Sequence, residues 1–248
     1  MRFLVLVTLL ASALSLVVAD DDLTEDYKRF KSQKNLEAPS RFTFVRVRYD
    51  SEGGYGESWY TYQGRDWERW ETDYPDADEN FIYRLSELTT LDPNPRAIVR
   101  RLTDDDIFEY PLLYMCDVGW MSLSHKEKDR LAEYLNRGGF IWVDDFWGDA
   151  EWESLENAMA DAMPGTSWRE LPVDHAIFNM VFHLPEGVPQ VPARIFAVQG
   201  WTSEPVWIHK SGGVEEVHCR GFFDKNGRLL MVATHNTDIG DGFEREAE

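Results

Sequence analysis

The stretch Arg137-Gly-Gly-Phe-Ile-Trp-Val-Asp-Asp-Phe-Trp147 constrains the fold more than any other. A helix-like segment runs into Gly138 and Gly139. A short apolar run follows and stops at two adjacent carboxylates, Asp144 and Asp145. That is the pattern of a helix feeding a buried strand. In open α/β sheets, ligands gather in the crevice beyond the carboxyl ends of the strands. The two aspartates therefore mark the first place to look for function.

The flanking sequence repeats the grammar. Arg41 to Tyr49 alternates Phe42, Phe44, Val45 and Val47 with arginines, which suits a strand with one face in the core. Asp78 to Leu91 spaces Phe81, Ile82, Leu85 and Leu88 along one helix face, and Asp92-Pro-Asn-Pro95 stops it. Arg96 to Leu102 reads as a short turn of helix or a strand. Thr103 followed by three aspartates is helix-start chemistry. Tyr110 to Cys116 is a continuous apolar run of the buried parallel kind. Ser124 and Glu127 form a capping box for a helix with Leu131, Tyr134 and Leu135 inward, ended by Gly138. Glu151 to Met163 is a further helix. Alternating strands and helices predict an α/β fold, a mostly parallel sheet with helices on both faces. After Met163 strands dominate: Trp168–Val173, Arg194–Gln199, Val206–His209, Val217–Phe223 and Leu229–Thr234. The last two are joined by Asp224-Lys-Asn-Gly227, whose Asn-Gly signals a hairpin.

The 248 residues carry a formal net charge of -20, which disfavours nucleic acid and anionic membrane surfaces as partners. Arg2, the apolar run Phe3 to Val18 and the small residues to Ala19 make an export signal over residues 1–19, with an uncleaved anchor as the alternative. Residues 20–40 read as a linker or short helix and 41–248 as one domain. A periplasmic or secreted location follows, with no stable membrane insertion after cleavage. Cys116 and Cys219 do not make a disulfide framework, and Cys116 reads as a buried small residue.

Six blocks together resemble a known family. They are Phe42 to Tyr49, Thr72 to Phe81, Tyr110 to Met115, Arg137 to Phe146, Leu171 to Phe178, and Gly227 to Leu230 with Asn236 to Gly242. The chain resembles an uncharacterised bacterial domain of unknown function, grouped with the class I glutamine amidotransferase-like, flavodoxin-like folds. The resemblance implies a three-layer fold and no activity. Members usually carry His-Pro where this chain has His175-Ala176. They also usually continue past the glycine-aspartate block into a further helix. This sequence ends at Glu248, so either it is cut short or that helix is absent.

Amidotransferase relatives place a cysteine nucleophile at a strand-to-helix turn. This chain has Val143-Asp-Asp-Phe-Trp147 there, so glutamine amidotransferase chemistry is not expected. Asp144 and Asp145 could act as acid and base, or hold a hydrated metal, with His175, His235 or Asp238 nearby. Neighbouring strand residues point to opposite faces, however, so one is expected to line the crevice and the other to cap the next helix. The calcium-like run Asn236-Thr-Asp238-Ile-Gly-Asp-Gly242 lacks the distal glutamate and reads as a glycine-rich turn. No metal site and no cofactor are assigned. Trp59, Trp67 and Trp70, set among Tyr60, Tyr62 and Tyr74, either line a groove or pack a loop against the sheet.

Two functions are expected from these residues. One is a non-catalytic module binding a protein, peptide or glycan through Trp59, Trp67, Trp70, Trp120, Trp147, Asn236 and Asp238, within a cell-envelope complex or alone. The other is a hydrolase using Asp144, Asp145 and His175.

Overall fold

The structure is a computed structural model that describes residues 41–189, 191 and 216–244. The export signal, the linker before Arg41, and the strands expected at Arg194–Gln199 and Val206–His209 lie outside the described residues.

The apolar runs become a seven-stranded sheet. Its strands are β1 (Val45–Val47), β5 (Ile98–Arg100), β6 (Leu112–Cys116), β8 (Phe140–Asp144), β9 (Ser167–Glu170), β10 (His218–Phe223) and β11 (Leu229–His235). Two short pairings lie outside it: β2 (Asp50–Ser51) with β7 (Met121–Ser122), and β3 (Trp59–Tyr62) with β4 (Arg65–Glu68). The order in the large sheet is β5-β1-β6-β8-β11-β10-β9. The first five strands are parallel, and β10 runs antiparallel to both its neighbours. The Asn-Gly hairpin is thus present as β10–β11, with Gly227 at φ +82°.

Besides four short 3-10 turns, the described residues form four α-helices: α1 (Asp76–Leu88), α2 (His125–Asn136), α3 (Gly148–Ala162) and α4 (Ile239–Glu244). From β1 the chain moves to one side, through α1 to β5. It then returns past β1 to β6 and continues the other way through α2 to β8. Right-handed crossovers laid in opposite directions put their helices on opposite faces. Two core clusters record this. Val47, Leu113, Met115, Ile141 and Val143 pack with Leu131 and Leu135 of α2 and Leu155 and Met159 of α3. Phe44, Tyr114 and Cys116 pack on the other face with Ile82 of α1. Each fully buried side chain of this kind contributes about 1.5–3 kcal/mol.

The capping box forms as the sequence predicts, Ser124 and Glu127 satisfying each other's backbone N–H groups. Gly138, at φ +107°, supplies the left-handed turn into β8. Three expectations are corrected. The helix expected from Glu151 starts earlier, at Gly148. The glycine-rich stretch after Asn236 is the helix α4 rather than a turn, docked on α1 through Phe243 against Phe81. The tryptophan-rich segment is the hairpin β3–β4 rather than a loop. Both cysteines are buried and unbridged. Among the described residues no helix is long and apolar enough to cross a membrane.

Candidate functional site

The reversal between β1 and β6 is the topological switch point, where such sheets bind ligands beyond their strand ends. Beyond the end of β1 lies a cleft of about 600 Å³. One wall is the chain leaving β1: Arg48, Tyr49, Asp50 and Ser51. The other is the β3–β4 hairpin with the turn after it, which brings Ser58, Trp59, Asp66, Trp67, Glu68, Trp70 and Glu71.

The hairpin register assigns different tasks to the tryptophans. Trp59 pairs with Glu68 and Thr61 with Asp66, so these four share the face turned to the cleft. Trp59 is the exposed platform, at 39%. Trp67 pairs with Tyr60, which sets its ring on the opposite face. There Arg65 stacks over it at 3.8 Å, and its indole N–H donates to the Tyr62 carbonyl. Trp70 is buried and forms the floor, giving its indole N–H to Glu68.

The hairpin is fastened to the sheet by Arg69. Its guanidinium donates to the carbonyls of Gly56 and Glu57 and, at 2.7 Å, to Asp117 Oδ2. Asp117 follows β6 in the left-handed region, at φ 55°. Thr72 donates to the same carboxylate oxygen. Tyr49 turns its hydroxyl onto the carbonyls of Cys116 and Asp117, joining the cleft to the ends of the central strands.

At those ends carboxyl groups accumulate. Asp144 is fully buried and accepts hydrogen bonds from Thr234, from Tyr114 at 3.1 Å and from the Gly240 N–H at 2.9 Å. Burial lifts its pKa to about 6 against the pull of those donors. Asp145, at φ 53°, accepts from the Trp147 indole and from the Cys116 thiol. Burial, then Asp117 and Asp73, hold it well above the carboxylate range. Glu151 accepts the Trp147 N–H, and burial with Asp117 nearby pushes it to about 8. Burial also raises Asp117, against Arg69, and Asp238, alongside Asp145 and Asp73. Two sets of side chains have ligand atoms within 4.8 Å of one another and so could share a cation: Asp73, Cys116 and Asp145, and Asp73, Asp238 and Asp241. The second, all oxygen, matches a hard cation.

Neither Asp144 nor Asp145 caps α3, as one of them was expected to. The Asn236 amide oxygen takes the Gly148 N–H at 2.8 Å, and Glu151 takes that of Trp147. Asp144 and Asp145 do meet at one strand end, but His175 stands elsewhere. It follows β9, at the opposite edge of the sheet's order from β5, and caps the 3-10 turn Ala176–Phe178. Its Nδ1 accepts the Ile177 N–H of that turn. Trp147 is 3% exposed and bonded to Asp145. Trp120 sits in a 3-10 turn whose carbonyl accepts from Glu52. Asn236 and Asp238 are buried among the carboxyl groups rather than in the cleft. Sequence reasoning missed Asp117 and Arg69. Asp117 carried the same signal as Asp144, an acid ending an apolar run.

A search of the curated proteins finds no match to the chain. A family model described as a domain of unknown function, DUF4159, matches residues 43–248, from the first core strand through the acidic end. The chain therefore belongs to the DUF4159 family.

Proposed function

We propose that the protein is an exported, non-catalytic binding module on a flavodoxin-like, amidotransferase-like scaffold, taking a glycan or peptide in the tryptophan cleft. The observation that carries this reading is the meeting of Trp59 and Trp70 on one cleft at the switch point. The order β5-β1-β6-β8-β11 supports the scaffold, since it follows the pattern of flavodoxin-like doubly wound sheets. The leader-like sequence before Ala19 supports export. The acidic net charge of -20 argues against nucleic acid as the ligand.

A hydrolase centred on Asp144, Asp145 and His175 has no comparable support. Both carboxyl groups are engaged by internal donors, and the His175 nitrogen is taken up by backbone. Catalysis needs such groups to converge on one reacting atom.

Tryptophan emission, titrated with a panel of soluble glycans and peptides, tests the binding reading. At least one class of ligand is expected to shift or quench the emission saturably, and Trp59→Ala to remove the change. A flat response to the whole panel overturns the reading.

A further inference from the structure

We infer that the occupant of the cleft is a neutral carbohydrate, a short oligosaccharide laid on Trp59 with its hydroxyl groups shared among Arg48, Asp66 and Glu68. The inference rests on the cleft being the binding site and goes further by naming the chemistry it selects.

Charge balance is the first argument. Four carboxylates line the cleft: Asp50, Asp66, Glu68 and Glu71. Three of them already hold a guanidinium partner. Arg101 meets Asp50 at 2.9 Å, Arg48 meets Glu68 at 3.2 Å, and Arg65 meets Glu71. Asp66 accepts a hydroxyl, that of Thr61, at 2.7 Å. An anionic ligand would meet this ring of acids unfavourably. A cationic one would find most of their charge already neutralised. A neutral ligand loses nothing to either.

Hydrogen-bonding character is the second. The four carboxylates of the walls are acceptors, and Arg48 adds a guanidinium donor. Such a surface suits a ligand rich in hydroxyl groups, each able to donate to a carboxylate and accept from an arginine. Bonds to ionised groups are the stronger kind. Ion-paired carboxylates are also held in place, so little ordering cost falls on the ligand.

Aromatic geometry is the third. A pyranose has an apolar C–H face that packs against an indole, burying large area at low conformational cost. Trp59 presents such a face at the cleft mouth, braced edge-on by Tyr55 at 5.2 Å. Beneath it Trp70 is fixed by Glu68, and Arg48 lies over its ring at 5.4 Å. A cavity of about 600 Å³ has room for a short oligosaccharide.

Calorimetric titration of the full chain with cellobiose, maltotriose and N,N′-diacetylchitobiose tests this, with tri-lysine and trigalacturonate as charged arms. At least one neutral sugar is expected to bind, its Kd changing less than about twofold between low and high salt, because screening acts on charged partners. Trp59→Ala should weaken binding about tenfold or more, and Trp59→Phe, which keeps a ring, about threefold or less. Circular dichroism spectra matching the parent establish that both variants fold. Binding of tri-lysine with no sugar bound overturns the carbohydrate inference, binding of trigalacturonate with no neutral sugar bound overturns its neutrality, and either leaves the cleft as a binding site. No binding by any of the five overturns both. Sugar binding indifferent to Trp59→Ala overturns the placement in the cleft.

Discussion

At the scale of single residues, the arginine in the first core strand is the most consequential. Arg46 is fully buried, and its guanidinium reaches Asp78 with two nitrogens and the carbonyls of Trp70 and Thr72 with a third. The ion pair thus joins β1 to the first turn of α1 and to the floor of the cleft. Alternation in Arg41 to Tyr49 announced a strand, but not that its arginine would be as buried as its valines. A period of two says which side chains share a face, and the partner that makes a buried charge tolerable lies 32 residues away. Asp78→Asn should leave that guanidinium uncompensated and cost about 3–5 kcal/mol, read as a lower midpoint in urea unfolding with an unchanged slope. A loss within experimental scatter would mean that the backbone carbonyls suffice to hold Arg46.

Elements were legible where local chemistry and the core agree. Ser124 with Glu127, Gly138, and Asn226-Gly227 each fixed an end or a turn that the structure keeps. The hairpin β3–β4 was not legible, and its turn explains why. Gln63 and Gly64 both sit at positive φ, 52° and 77°, which matches a two-residue hairpin turn. Glutamine rarely accepts that region, so Gln-Gly is a weaker signal than Asn-Gly. Helix α4 was hidden for another reason. Six residues with two glycines have little helical tendency of their own, and the Gly240 N–H bond to Asp144 and the Phe243 contact with Phe81 hold them. The hairpin depends in the same way on Arg69, whose bonds run to Gly56, Glu57 and Asp117. Bonds from a charged donor are worth about 1.5–3 kcal/mol each. Arg69→Ala should therefore speed amide exchange over residues 57–68 by roughly tenfold or more, while β6 and β8 exchange as before. Unchanged exchange in the hairpin would show that its tryptophans, not Arg69, fasten it.

For the whole molecule, the sheet's carboxyl edge sets the response to pH. The sequence marked Asp144 and Asp145 there and Asp238 beside them, but not that Asp117 and Glu151 would crowd the same space. Burial raises all five, Asp144 to about 6 and Glu151 to about 8, so the folded chain holds protons that the unfolded chain releases. Stability from such groups is fully present below their ordinary values, near 4, and is lost as pH rises through the folded values. His235 works the other way. Burial pushes it down to about 3, so its contribution is present above its ordinary 6.5 and is lost as pH falls. The two trends oppose each other between about pH 4 and 6.5. Above 6.5 the histidine is neutral in both states and the carboxyl groups act alone. The surroundings of Glu151 keep this sign: Asp117 raises it, and Arg69 and the Trp147 N–H only moderate the rise. Urea unfolding should therefore show the protein less stable at pH 8 than at pH 6.5, by at most about 1.4 kcal/mol per pH unit for each proton involved. Glu151→Gln, whose amide oxygen can still accept the Trp147 N–H, should flatten that slope. Stability that is constant or rising from pH 6.5 to 8 would mean that these carboxyl groups are ionised in the folded chain, with a cation or open water among them.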